Sequence, residues 1–330
     1  MIAEHVESRV KSKLTMVFAA LLIPLSLLSL SLTENFNHFS LFWDSVGLFF
    51  VLVPCIGCSY FLHRANGQHW QETFLALGIP FSLISAYQGS IALSLTLDQQ
   101  AAQYIGANSS IMFVVVLYGG IVGAMGYPAL HKKQPPGKGR VNKRYIVITL
   151  TLALSSIYYL CSVSAKANPE IHVLDFFDSS LILIFGLIVS SFLLMNSKER
   201  HWSIVVADAV LYASMVTVVL ALVYWFQAIG GDPEISMIQV PILYASKSMF
   251  FASIIYVVTY IASVGADIDD GIDVGRMNWH LIEVNAFLLF LAFAPPSFGE
   301  FVSSLNGNSA QEEIIEDLTR RIEILEESGF

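Results

Sequence analysis

Eight long apolar stretches dominate the chain, at 14–33, 45–62, 73–96, 108–129, 145–164, 179–195, 204–228 and 238–264. A helix needs roughly 20 apolar residues to cross about 30 Å of hydrocarbon. Within lipid a backbone must satisfy its own polar groups, so stretches that do not alternate as barrel strands do must be helices. None of these alternates. With 55% hydrophobic and 13% charged residues and a mean hydropathy of +0.65, the chain lies far from the quarter-charged composition of soluble domains. The fold class expected is all-α, a polytopic helical membrane protein with about eight transmembrane helices.

Lys and Arg set the orientation. Arg9, Lys11, Lys13, Arg64, Lys132, Lys133, Lys138, Arg140, Lys143, Arg144, Lys198 and Arg200 fall in segments that share one side if the chain is threaded through eight spans. The opposite loops hold Lys166 and a series of acids: Glu34, Asp44, Asp98, Glu170, Asp175, Asp178, Asp232 and Glu234. This predicts a cytoplasmic N-terminus. The first stretch, LTMVFAALLIPLSLLSLSLT, is long and is followed by ENFNHFS rather than a small-residue cleavage site, so it reads as a retained span. The net charge of −9 comes from outer loops and the tail, and no basic patch points to nucleic acid.

Short motifs recur at a nearly constant offset. FWDS at Phe42 and FFDS at Phe176 lie 176 − 42 = 134 positions apart, and His69-Trp70 and His201-Trp202 lie 201 − 69 = 132 apart. Ser109-Ser110-Ile111-Met112-Phe113 matches Ser246-Lys247-Ser248-Met249-Phe250 at 246 − 109 = 137. The offsets predict one four-span module written twice, at 1–130 and 145–265, joined by a basic cytoplasmic linker at 131–144. An even number of spans per module makes the repeats parallel.

Residues 266–330 form a C-terminal region of different character. AFLLFLAFA, preceded by Glu283 and Asn285 and broken by Pro295-Pro296, is short for a span and reads as an interfacial or bundle-packed cytoplasmic helix, with a ninth span as the alternative. Ile314, Leu318, Ile322 and Leu325 then make a short coiled-coil-like stripe. The acids Asp267, Asp269, Asp270 and Asp273 miss the EF-hand register and read as a solvated loop.

Ionisable groups inside spans are functional candidates, because a charge in lipid is costly unless paired or wetted. Asp208 lies near the cytoplasmic end of the seventh span and Lys247 nearer the middle of the eighth. Asp44 and Asp178 stand at the outer starts of the second and sixth spans, where capping the helix N-terminus is a sufficient role. Glu72 is the corresponding acid at the start of the third. Cys55 and Cys58 form a C-x-x-C within an apolar helix and read as packing residues, as does Cys161. Nothing has the spacing of a metal site, a cofactor loop or a catalytic constellation, so no enzyme is expected.

FWDS opening a span, followed by YIGANSSIMFVVVLYGGIVGAMGYPALHKK, resembles the MotA/TolQ/ExbB proton-channel family, with Ile105-Gly106 and Leu117-Tyr118-Gly119 at the family's spacing. The resemblance covers the four spans of the first half and reaches the second through FFDS and the repeat. It implies a homo-oligomeric, pentameric ring in a bacterial inner membrane, gathered around a single-span ExbD/MotB-like partner whose membrane aspartate carries protons or another monovalent cation. On that reading Ser82, Ser85, Ser109, Ser110 and Tyr118 are pore-facing candidates, and Lys247 and Asp208 could face the pore or the partner. Val115 and Val116 stand where the family often has hydroxyls before L-Y-G. HRANGQHWQE replaces the family's large cytoplasmic domain, which argues against a conventional flagellar stator. The function expected is a channel or stator-like subunit of an ion-driven motor. A stand-alone secondary transporter or channel and a non-conducting membrane scaffold remain open beside it.

Overall fold

The computed structural model describes residues 44–96, 102–126, 141–167, 171–196, 200–229 and 235–266, with backbone alone at 93, 94, 96, 102–113, 167, 222, 224–229 and 235–242. All lie within one compact unit, Met1–Asn285. Among the described residues every regular element is helical: α1 (Ser45–Asn66), α2 (Trp70–Thr96), α3 (Ala102–Gly126), α4 (Lys143–Ala167), a 3-10 turn (Val173–Phe176), α5 (Ser179–Met195), α6 (Trp202–Ile229) and α7 (Ile235–Gly265). The expected first span at 14–33, the linker at 131–140 and the acidic run and tail from 267 onward lie outside the described residues.

Five helical segments are long and apolar enough to cross a membrane: Ser45–Asn66, Trp70–Ala92, Lys143–Lys166, Trp202–Ala221 and Leu243–Gly265. Val114–Gly126 and Ser179–Met195 are apolar but shorter. Large apolar side chains face outward along these helices, as a lipid solvent permits. On α1 they are Val46, Phe49, Val53, Ile56 and Tyr60, a stripe at alternating three- and four-residue steps. Val51, Pro54, Cys55, Cys58 and Leu62 are buried on the other side. Such helices suit a membrane, where a segment apolar all round loses nothing by exposing one face.

Successive helices alternate in direction. At one end of the bundle the Asn142 N–H donates to the Ala65 carbonyl at 2.9 Å, and the Asn66 side chain reaches the Val264 carbonyl at 3.5 Å. This end also holds His69 and His201, and is called the histidine end below. The opposite, aspartate end holds the starts of α1 and α5.

The central helix is α2, which packs against α3 on one side, α7 on another, and α1. Glycine brings α2 and α3 into backbone contact. A Cβ on Gly78 would lie 2.9 Å from the Gly123 nitrogen, and one on Gly119 would lie 2.8 Å from the Gly78 carbonyl oxygen. Gly119, Gly123 and Gly126 of YGGIVGAMG therefore serve the α2/α3 crossing, whereas Gly120 faces open space. In the later half, α5, α6 and α7 share a core of Leu181, Phe185, Val206, Val210, Ala213 and Ala252. Successive helices pack together, α1 on α2 and α2 on α3, and likewise α5 on α6 and α6 on α7.

Local geometry repeats as well. Asp44 caps α1 by accepting from the Val46 N–H at 3.0 Å, and Asp178 caps α5 by accepting from the Ser180 N–H at 2.9 Å. α2 and α6 both begin at a tryptophan after a histidine, with the His69 and His201 carbonyls accepting the first helical N–H groups. The rings of each pair tilt together, at 6.0 Å for His69–Trp70 and 5.5 Å for His201–Trp202. α1 ends at Gly67, whose φ of 80° is left-handed and whose N–H closes on the His63 carbonyl at 2.8 Å.

Candidate functional site

Three consecutive residues on α7 reach three different elements. Side chains one residue apart on a helix point about 100° apart, so a run of three fans over most of the circumference. Ser246 meets Ser90 of α2 at 3.1 Å between hydroxyl oxygens, Lys247 meets Asp178 before α5 at 3.8 Å, and Ser248 hydrogen-bonds Thr217 of α6. This polar hub sits near the aspartate end, within the apolar windows Trp70–Ala92 and Leu243–Gly265.

Lys247 is 8% exposed. One turn along α7, Phe250 meets Phe176 at a tilt and Phe177 edge-on, at centroid distances of 6.3 and 6.1 Å, which docks the segment before α5 on the same helix. Asp178 is thus both the α5 cap and the counter-ion of Lys247. Burial alone pushes its carboxyl up, but the Ser180 hydroxyl and N–H, the Lys247 ammonium and the Leu181 N–H together hold it below the usual aspartate range. The capping role expected for Asp178 is accordingly combined with an ion pair that the sequence did not link to it.

Asp44 has a different neighbour. Its N–H donates to the Tyr118 hydroxyl at 2.8 Å, so Tyr118 of α3 steadies the start of α1. Ser82 is fully buried, donates to the Ile79 carbonyl at 2.7 Å, and lies against Gly119 in the α2/α3 crossing. Ser85, three residues on, is half-buried. Ser109 and Ser110 fall on α3, but their side chains lie outside the described residues. Asp208 is far from Lys247's partner set and pairs with Arg200 at 2.9 Å, with Arg200 largely exposed. Cys55, Cys58 and Cys161 are buried free thiols, and no group of three His, Cys, Asp or Glu residues suited to a metal occurs among the described residues.

A polar seam continues from the hub along the α2/α7 interface. Ser246, Met249, Ser253, Tyr256, Tyr260 and Ser263 of α7 follow alternating three- and four-residue steps and are all buried. On α2 the same steps run through Thr73, Ala76, Pro80, Leu83, Tyr87 and Ser90, also buried. The two stripes face each other: Ser90 bonds Ser246 at the aspartate end, and at the histidine end the Tyr260 hydroxyl approaches the Glu72 carbonyl at 3.4 Å and accepts from the Gln68 amide. Gln88 of α2 adds a bond to Ser164 of α4. No local sequence rule pairs these residues, although the spacing of hydroxyls in SKSMFFASIIYVVTYIAS carries the signal.

No protein-family model, curated protein or solved structure matches the chain.

Proposed function

We propose that the chain is an ion-translocating membrane subunit of a complex powered by an ion motive force. It comprises two parallel four-span modules, sits in a bacterial inner membrane with its N-terminus cytoplasmic, and assembles as an oligomer around a single-span partner bearing a membrane carboxylate. The observation that carries this reading is Lys247, a buried cation on a membrane-length helix with a carboxylate 3.8 Å away. Such a charge is costly to hold in lipid, and its usual use is on an ion path or against a moving counter-charge. The likeness to the MotA/TolQ/ExbB pattern, FWDS with I-G and L-Y-G, supplies the partner. The repeated aspartate caps and His-Trp junctions support the module count.

Purification of the full chain from native membranes in mild detergent tests the reading. A co-purifying single-span protein with an acid in its apolar segment, together with several copies of this chain, is the expected result. A lone monomer with no companion would overturn it. The second reading, a channel or transporter working alone, is favoured by one observation: the polar seam lies between helices of a single chain.

A further inference from the structure

We propose that the α2/α7 seam holds a file of water and relays protons through this chain alone, from the Asp178–Lys247 lip to Glu72. The proposal rests on the ion-translocating part of the reading above and not on the partner.

From Ser246 to Tyr260 the seam runs fourteen residues, about 21 Å of helix, most of a hydrocarbon core of about 30 Å. Serine and threonine are ordinary at helix contacts in lipid when their hydroxyls bond across the interface, so the informative positions are those whose hydroxyls do not. Here five of the six α7 seam positions carry hydroxyls. Two buried hydroxyls point to a ligand. Ser253 and Thr73 are each 0% exposed, and neither Ser253 Oγ nor Thr73 Oγ1 has a hydrogen-bond partner. Ser253 lies seven residues from both Ser246 and Tyr260, so it shares their face and points between α7 and α2. A buried hydroxyl left unpaired is costly, and an internal water is the ordinary remedy.

Pro80 contributes on the opposite wall. It has no N–H to give the Ala76 carbonyl four residues earlier, so that oxygen loses its helical partner beside the seam. Hydroxyls at 246 and 253 are about 10 Å apart along the helix, too far for a direct bond, which is why the relay requires water between them. In each transfer an oxygen releases one proton as it receives another, so every hydroxyl and water ends unchanged and one proton has moved.

Radiolytic hydroxyl labelling of the full chain in vesicles reads bound water directly. Met215 and Tyr212 on the exposed apolar face of α6 provide like-for-like controls, since lipid covers them in a vesicle. Met249 and Tyr256 should label several-fold faster than these controls, although both are fully buried. Filling the seam with Ser253→Leu should slow their labelling to the control rate and abolish voltage-driven proton uptake. Ser253→Ala, which adds no volume, should reduce both. Met249 and Tyr256 labelling no faster than the controls would overturn the water file. A wet seam with no proton uptake above protein-free vesicles, or with uptake unchanged in Ser253→Leu, would overturn the relay. A dry seam leaves the partner reading standing, whereas a missing partner leaves a wet seam standing.

Discussion

Lys247 Nζ lies 3.8 Å from Asp178 Oδ2, and the same carboxylate accepts the Ser180 N–H that starts α5. One acid therefore ties the last described helix to the start of another. Removing the cation alone leaves a capped but uncompensated charge, so Lys247→Met should destabilise the bundle by roughly 1–3 kcal/mol, less than a fully buried pair because Asp178 is partly exposed. Lys247→Met with Asp178→Asn should recover most of that loss. Thermal unfolding in detergent, read by helix content, checks the ordering of single and double variants.

Acid should release the same contact. Because the folded-state carboxyl of Asp178 is held below its ordinary value, its contribution is present at neutral pH and is lost as pH falls through the depressed value, beginning below about 3.9. Thermal stability should fall over that range in the native chain, and the fall should be smaller in Asp178→Asn.

The Tyr118 hydroxyl accepts the Asp44 N–H, a backbone group that α1 itself cannot satisfy. Tyr118→Phe keeps the ring and orphans the N–H, with an expected cost of about 1–3 kcal/mol. Amide exchange should quicken at Asp44 and in the first turn of α1 while the histidine end is unaffected.

A side chain at Gly119 would run into Ser82 and the Gly78 carbonyl. Gly119→Val should push α2 from α3 and cost roughly 1–3 kcal/mol, and Gly120→Ala, where nothing lies within 4 Å, should be nearly silent. Expression level and melting temperature of the two variants provide the comparison.

Asp208 pairs with exposed Arg200 rather than with any buried cation. Asp208→Asn should change stability by no more than about 1 kcal/mol and leave ion flux intact. Loss of flux in this variant would place the path along α6 instead.

Helix positions are legible because long apolar runs leave a backbone few options: hydropathy marks 179–195 and α5 is Ser179–Met195. Asp44 and Asp178 were readable as caps because capping depends on residues one and two places away. Partners across helices were not readable. The sequence put Lys247 and Asp178 sixty-nine positions apart (247 − 178 = 69), with no local rule joining them. The resemblance makes Ser82 a pore-facing candidate, but a motif does not fix rotation about the helix axis, and in the fold Ser82 lies against Gly119 in the α2/α3 crossing. The seam could have been seen in the alternating three- and four-residue spacing of α7 hydroxyls, but spacing alone does not say which helix lies opposite.

The central claim is that the Lys247–Asp178 pair serves ion movement rather than packing alone. Dissipation of an imposed ion gradient in vesicles carrying the purified chain with whatever partner accompanies it, compared with the Lys247→Met, Asp178→Asn double variant, tests this most directly. The double variant restores packing without charge, so the account predicts a folded, assembled protein that has lost flux. Flux equal to that of the native protein, or none in either, would contradict it.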